Sequence, residues 1–179
     1  MAATTPTARR RPPYRMSRTA RRSTLVVHIA SAGGWLGVDI AMAVVIATAA
    51  FTPDLATRVA CLQVLELITV WPLLGCGLVC LLSGLLLGLG STWGVLQYWW
   101  VTVKLALNIV LTALVVVALR PEVTHQAAQA RRALTGEPVT FDLTNLIYPP
   151  TVSPTLLVVA MTLSVVKPWG RIRERRGRT

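Results

Sequence analysis

Four ionisable side chains lie inside apolar stretches of this sequence. His28 and Asp39 share the first apolar run, Glu66 falls in the second and Lys104 in the third. A charge at bilayer depth costs about 3 kcal/mol on insertion scales, so such residues are rare and usually functional. Neutral imidazole ligates metals and haem iron, while intramembrane carboxyl and ammonium groups bind ions, protons or counter-charges. The sequence therefore indicates binding groups, but it does not indicate a reaction.

Helical spacing and depth sort these residues into two polar layers. His28 and Lys104 lie about four and five residues from the cytoplasmic ends of their helices, which at about 1.5 Å per residue is a similar depth. We therefore expect a cofactor-binding cavity that opens toward the cytoplasm and is formed by His28, Trp35, Lys104 and Asn108. The alternative is that Lys104 extends to the cytoplasmic interface and His28 only packs.

The second layer is predicted near the opposite side of the membrane. Asp39 and Glu66 both fall in the outer halves of their runs and form the candidate ion or proton site. The alternatives are a neutral Asp39 that is bonded to a neighbour, and a Glu66 at the outer interface. We predict no metal site, because Cys76 and Cys80 continue into Gly84 and Gly88 as a ladder of small residues typical of helix packing.

The elements that position these residues are four apolar runs. The chain has 179 residues, is 54% hydrophobic and has a mean hydropathy of +0.59, which excludes an ordinary soluble domain. The runs are continuous rather than alternating, so they indicate helices and not a barrel. The predicted fold is all-α, a polytopic membrane protein with four transmembrane helices in an antiparallel bundle over residues 24–169. The predicted spans are 25–50, 59–90 (with a kink near Pro72), 99–119 and 150–169.

Basic flanks set the predicted orientation. Seven arginines precede residue 23, and one lysine and five arginines close the chain. Residues 1–23 are predicted to be a disordered basic tail and residues 170–179 a second basic tail. Both termini are then cytoplasmic, and 120–149 is an extracytoplasmic loop. It contains a short amphipathic helix that ends near Gly136 and either stands alone or continues the third span. We expect these tails to bind anionic lipid headgroups of the cell membrane and not nucleic acid.

Two short motifs resemble those of a broad membrane superfamily. The stretch His28-Ile-Ala-Ser-Ala-Gly-Gly-Trp-Leu-Gly37 resembles its first helix, and Thr92-Trp93-Gly94 with Tyr98-Trp-Trp-Val-Thr-Val-Lys-Leu105 resembles its third. On these motifs the chain resembles an uncharacterised actinobacterial family of four-helix integral membrane proteins. It is more distantly similar to copper-resistance D-type proteins and to haem-containing membrane protoporphyrinogen oxidases. The resemblance implies haem binding through His28, with Lys104 as the characteristic third-helix residue.

Three functions compete on this sequence. The first is a non-enzymatic accessory or scaffold protein that forms a homo-oligomer or binds a membrane-protein partner; it is favoured by the small-residue ladder Gly33, Gly37 and Ala41. The second is a haem- or metal-linked redox or uptake protein with its site around His28 and Lys104. The third is a small transporter or channel subunit that uses Asp39 and Glu66.

Overall fold

This computed structural model describes residues 16–90 and 98–166. Its first helix begins before the first apolar run. Helix α1 spans Arg18–Phe51. The Ser17 hydroxyl caps it by accepting a hydrogen bond from the Ala20 amide at 3.1 Å, which is why the helix starts inside the segment predicted to be disordered. That prediction is wrong for residues 18–23, and residues 1–15 lie outside the described range.

A proline-containing turn connects α1 to the second helical unit. Asp54 caps helix α2 (Leu55–Ile68) by accepting hydrogen bonds from the Thr57 hydroxyl at 2.6 Å and the Thr57 amide at 2.8 Å. These bonds hold the pKa of the Asp54 carboxyl below its ordinary value. The unit thus begins slightly earlier than the predicted residue 59, because a capping residue follows the turn directly.

The second unit contains the predicted kink. Helix α3 (Val70–Leu89) follows α2 after the single residue Thr69. Pro72 has no N–H to donate to the Ile68 carbonyl, so the hydrogen-bond ladder is interrupted at this point. The buried Thr69 hydroxyl donates to the Leu65 carbonyl at 2.6 Å across the break. The kink near 68–72 is confirmed.

The third unit is much longer than the predicted span 99–119. Helix α4 (Trp99–Leu114) continues through a π-helical segment (Val115–Leu119) directly into helix α5 (Arg120–Leu134). The short helix predicted in the 120–149 segment is present as α5 and continues the third span, because Pro121 lies in its first turn, where proline is tolerated. The chain leaves α5 at Gly136, whose φ of +80° favours glycine.

The last unit is a 3₁₀ turn (Thr144–Ile147) followed by helix α6 (Tyr148–Val166). Helix α1 contacts α2, α3 and α6, while α4 packs against α3 and α6, and α5 packs against α2. The described residues thus contain four helical units that are long and apolar enough to cross a membrane, namely 18–51, 55–89, 99–134 and 144–166. This confirms the all-helical prediction and the number of membrane-length helices.

The buried core lies toward the α1–α2 turn. Its largest fully buried side chains include Trp35, Met42, Leu62, Leu65 and Leu73. The small-residue ladder predicted on α1 is not part of this core, because Gly33, Gly37 and Ala41 are exposed. A Cβ atom at Gly33 or Gly37 would have no neighbour within 4 Å, so the expected close helix contact on this face is absent among the described residues.

Candidate functional site

His28 is held by the end of α3. Its Nδ1 atom lies 3.0 Å from the Cys80 carbonyl oxygen and 3.0 Å from the Ser83 hydroxyl oxygen. A carbonyl can only accept, so the bond to Cys80 places the proton of the neutral ring on Nδ1. Nε2 then carries the lone pair of the neutral ring.

A glycine makes room for this ring. A Cβ atom at Gly84 would lie 3.1 Å from His28 Cε1 and 3.5 Å from Nδ1. The predicted ladder on this helix therefore serves a close approach between α3 and the His28 side chain of α1. Ser83 is fixed in turn, since its hydroxyl donates to the Val79 carbonyl at 2.6 Å.

Lys104 reaches the same space from α4. Its ammonium group donates to the Ser164 hydroxyl of α6 at 2.9 Å and lies 4.5 Å from the centroid of the Trp100 ring. This is a cation–π distance. Lys104 thus bridges α4 and α6.

His28, Lys104 and Asn108 line one cavity of about 470 Å³, the His28 cavity. Arg21 and Met161 line it too, and no acidic side chain is among its described lining residues. The Asn108 side-chain oxygen is buried and has no hydrogen-bond partner among the described residues. The cavity therefore presents cationic groups, an imidazole lone pair and an unused amide oxygen to a ligand.

Trp35 does not belong to this cavity, which corrects the sequence-based prediction. Its indole Nε1 donates to the Ser153 hydroxyl at 2.9 Å, and that hydroxyl donates to Asp39 Oδ2 at 2.7 Å. All three side chains are buried. Helical spacing places Trp35 on the same face of α1 as His28. Its ring nevertheless bonds to Ser153, the partner of Asp39 one turn further along the helix.

Asp39 lines a second cavity of about 440 Å³, the Asp39 cavity. Trp35, Ser153 and Glu122 also line it, while Leu111 lines both cavities. The residues that the sequence placed in one ion site are thus not brought together. Glu66 does not line this cavity; it forms a half-exposed ion pair with Arg131 of α5 at 2.9 Å.

The cysteines form no metal centre in the described part of the chain. Cys80 Sγ lies 3.7 Å from His28 Nδ1, but that nitrogen already faces the Cys80 carbonyl. No group of three or more His, Cys, Asp or Glu side chains suited to a metal ion occurs within residues 16–90 and 98–166.

Sequence reasoning missed several residues that line the two cavities. Ser153 and Ser164 are weakly polar residues on an apolar helix, so neither gives a signal before its partner is known. Arg21 was assigned to the basic tail, and Glu122 to the loop. A third span that continues as a helix past Leu119 would place Glu122 near the depth of Asp39.

Comparison with known proteins gives no relative. No family model, curated protein or solved structure matches the chain. The residues themselves therefore carry the functional argument.

Proposed function

We propose that this chain is a non-enzymatic accessory protein of the cell membrane that binds an anionic amphipathic ligand, with haem as the candidate, in the His28 cavity. The observation that carries the proposal is the fixed imidazole. The Cys80 carbonyl orients the Nδ1–H of His28, which leaves Nε2 as a lone-pair donor in a cavity lined by Lys104 and Arg21. Histidines that ligate metals commonly donate their other N–H to a carbonyl in this way.

We also propose that the chain crosses the membrane four times in an antiparallel arrangement, with both termini cytoplasmic. Support comes from contacts between the start of one unit and the end of another. His28 near the start of α1 meets Ser83 near the end of α3, and Lys104 near the start of α4 meets Ser164 near the end of α6. In this orientation the arginine-rich ends of the sequence belong to the cytoplasmic side, where anionic headgroups are their natural partners.

The residues present fit haem as a ligand. His28 and Met161 both line the cavity, and the imidazole or the thioether would hold the haem iron. Lys104 and Arg21 supply positive charge for propionates, and the remaining wall is largely apolar. The volume of about 470 Å³ lies within the range of ordinary ligand pockets, roughly 300–1,000 Å³. When bound, haem would supply redox or gas-binding chemistry, while these residues bind and orient it.

The test is titration of the purified detergent-solubilised protein with hemin, followed by visible absorbance. We expect a Soret band shifted from that of free hemin at one equivalent. His28→Ala should abolish the shift, and Lys104→Gln should weaken binding. His125→Ala is the matched control, since it removes an exposed imidazole from α5, far along the third unit from Lys104. A spectrum of free hemin with the wild-type protein, or an unchanged spectrum in His28→Ala, would refute haem ligation by His28.

Accessory binding to a second membrane protein, or to another copy of this chain, is the remaining part of the proposal. The exposed small residues Gly33, Gly37 and Ala41 on α1 support it, because small side chains let a neighbouring helix approach closely. Crosslinking in native membranes from a cysteine introduced at Ala41 tests this part. Failure to form any crosslinked species would refute it without bearing on the cavity.

A further inference from the structure

The two cavities carry opposite charge. Basic side chains line the His28 cavity, whereas Asp39 and Glu122 are the only residues of a charged type among the described residues that line the Asp39 cavity. From this asymmetry we propose that the Asp39 cavity is a separate binding site for a lipophilic monocation, namely a protonated primary amine with an apolar body. This site is independent of the ligand proposed for the His28 cavity.

Asp39 is the anchor of this site. It is 1% exposed, and its Oδ2 accepts the Ser153 hydrogen bond, but Oδ1 is buried and has no partner in the described part of the chain. Buried carboxylates without hydrogen bonds or counter-charge are strongly disfavoured. An ammonium group has three donors and one positive charge, so it would supply both of the missing interactions.

The Trp35–Ser153 pair holds the anchor in place. Trp35 donates to Ser153, so the serine proton is directed to the Asp39 carboxyl. One carboxyl oxygen is held by this bond, and the other is left over. Such fixed polar groups in an otherwise apolar pocket are what set ligand orientation in small-molecule sites.

The walls define the rest of the ligand. Aliphatic side chains of α4, the π-helical segment and α6 form most of the surface, for example Leu114, Val115 and Val152. Glu122 adds a second carboxyl, and its Oε1 accepts a hydrogen bond from Gln126 at 2.9 Å. One ammonium head and an alkyl or aryl body match this distribution of charge and apolar surface.

The experiment is calorimetric titration of the purified protein with hexylammonium, with hexan-1-ol as the neutral probe of the same length. We expect measurable hexylammonium binding that Asp39→Asn weakens about ten- to a hundredfold, the range for a lost hydrogen bond to a charged group. Glu122→Gln should weaken it less. Glu66→Gln, which removes a carboxylate outside the cavity, is the matched control and should bind like the wild type.

A second variant keeps the proposal testable if Asp39→Asn does not fold. Ala118→Phe fills the cavity from the π-helical segment and should also abolish binding. Equal affinity for hexan-1-ol and hexylammonium, or wild-type affinity in both Asp39→Asn and Ala118→Phe, would overturn the proposal. The site would then be an apolar void without charge selectivity. No hexylammonium binding to the wild-type protein would overturn it as well.

Discussion

Gly77 lies at a close helix contact, and replacing it by alanine should destabilise the protein. A Cβ atom there would lie 2.5 Å from Trp35 Cζ3 and 2.6 Å from the Thr112 hydroxyl oxygen. Trp35 is 1% exposed and is bonded to Ser153, so its ring has little room to move. Overpacking of this kind costs about 1–3 kcal/mol. At roughly 2–4 °C per kcal/mol for a chain of this size, we expect the melting temperature to fall by about 2–12 °C.

Gly75→Ala is the matched control on the same helix. A Cβ atom at Gly75 has no neighbour within 4 Å, and alanine is the better helix former by up to about 1 kcal/mol. Circular dichroism during thermal unfolding in one detergent compares the two variants directly. The reasoning fails if Gly77→Ala melts at or above the temperature of Gly75→Ala. Near-ultraviolet dichroism, to which the buried Trp35 contributes together with the other tryptophans, should change only in Gly77→Ala.

Three further predictions follow from single contacts. Asp54→Ala should lower the melting temperature at neutral pH. The folded-state pKa of Asp54 is depressed, so the stabilisation by this carboxylate is present above its ordinary pKa of 3.8 and is lost as the pH falls below that value. The melting temperatures of the variant and the wild type should therefore converge at low pH in a series of melting curves. Gly84→Leu should displace the His28 ring and reduce hemin binding, whereas Gly37→Leu, which faces open space, should leave a hemin titration unchanged. Glu66→Gln should change the free energy of unfolding by less than about 1 kcal/mol in detergent denaturation, because its ion pair is partly exposed.

Local signals predicted the secondary structure well where one residue decides the backbone. Pro72 predicted the break between α2 and α3, because a missing N–H acts on its own helix whatever surrounds it. Gly136 predicted the end of α5 for a similar reason, and the structure gives it a φ of +80°. The start of α1 was missed because Ser17 lies among arginines and prolines, a composition that outweighed its capping ability in the prediction.

Hydropathy could not predict the length of the third unit. The apolar run ends at Leu119, and the proline that follows at 121 is typical of a helix end. Here proline lies early in α5, and a π-helical segment connects it to α4, so the helix continues past the apolar run. The buried face of α5, which includes Val123, Ala127 and Ala130, is stabilised by α2. That tertiary contact is invisible in the sequence.

Depth and rotation explain which polar residues meet. Depth along each helix can be estimated from the sequence, and His28 and Lys104, which were predicted at similar depth, line one cavity. Rotation about the helix axis depends on how each helix packs, and sequence periodicity gives it only relative to the same helix. Asp39 and Glu66 were both placed in the outer halves of their spans, yet Glu66 turns toward Arg131 of α5, while Asp39 turns toward Ser153 of α6. A buried carboxyl needs a hydrogen-bond donor, which a serine supplies and a second carboxylate does not. Ser153 was therefore a better candidate than Glu66 for the neighbour of Asp39.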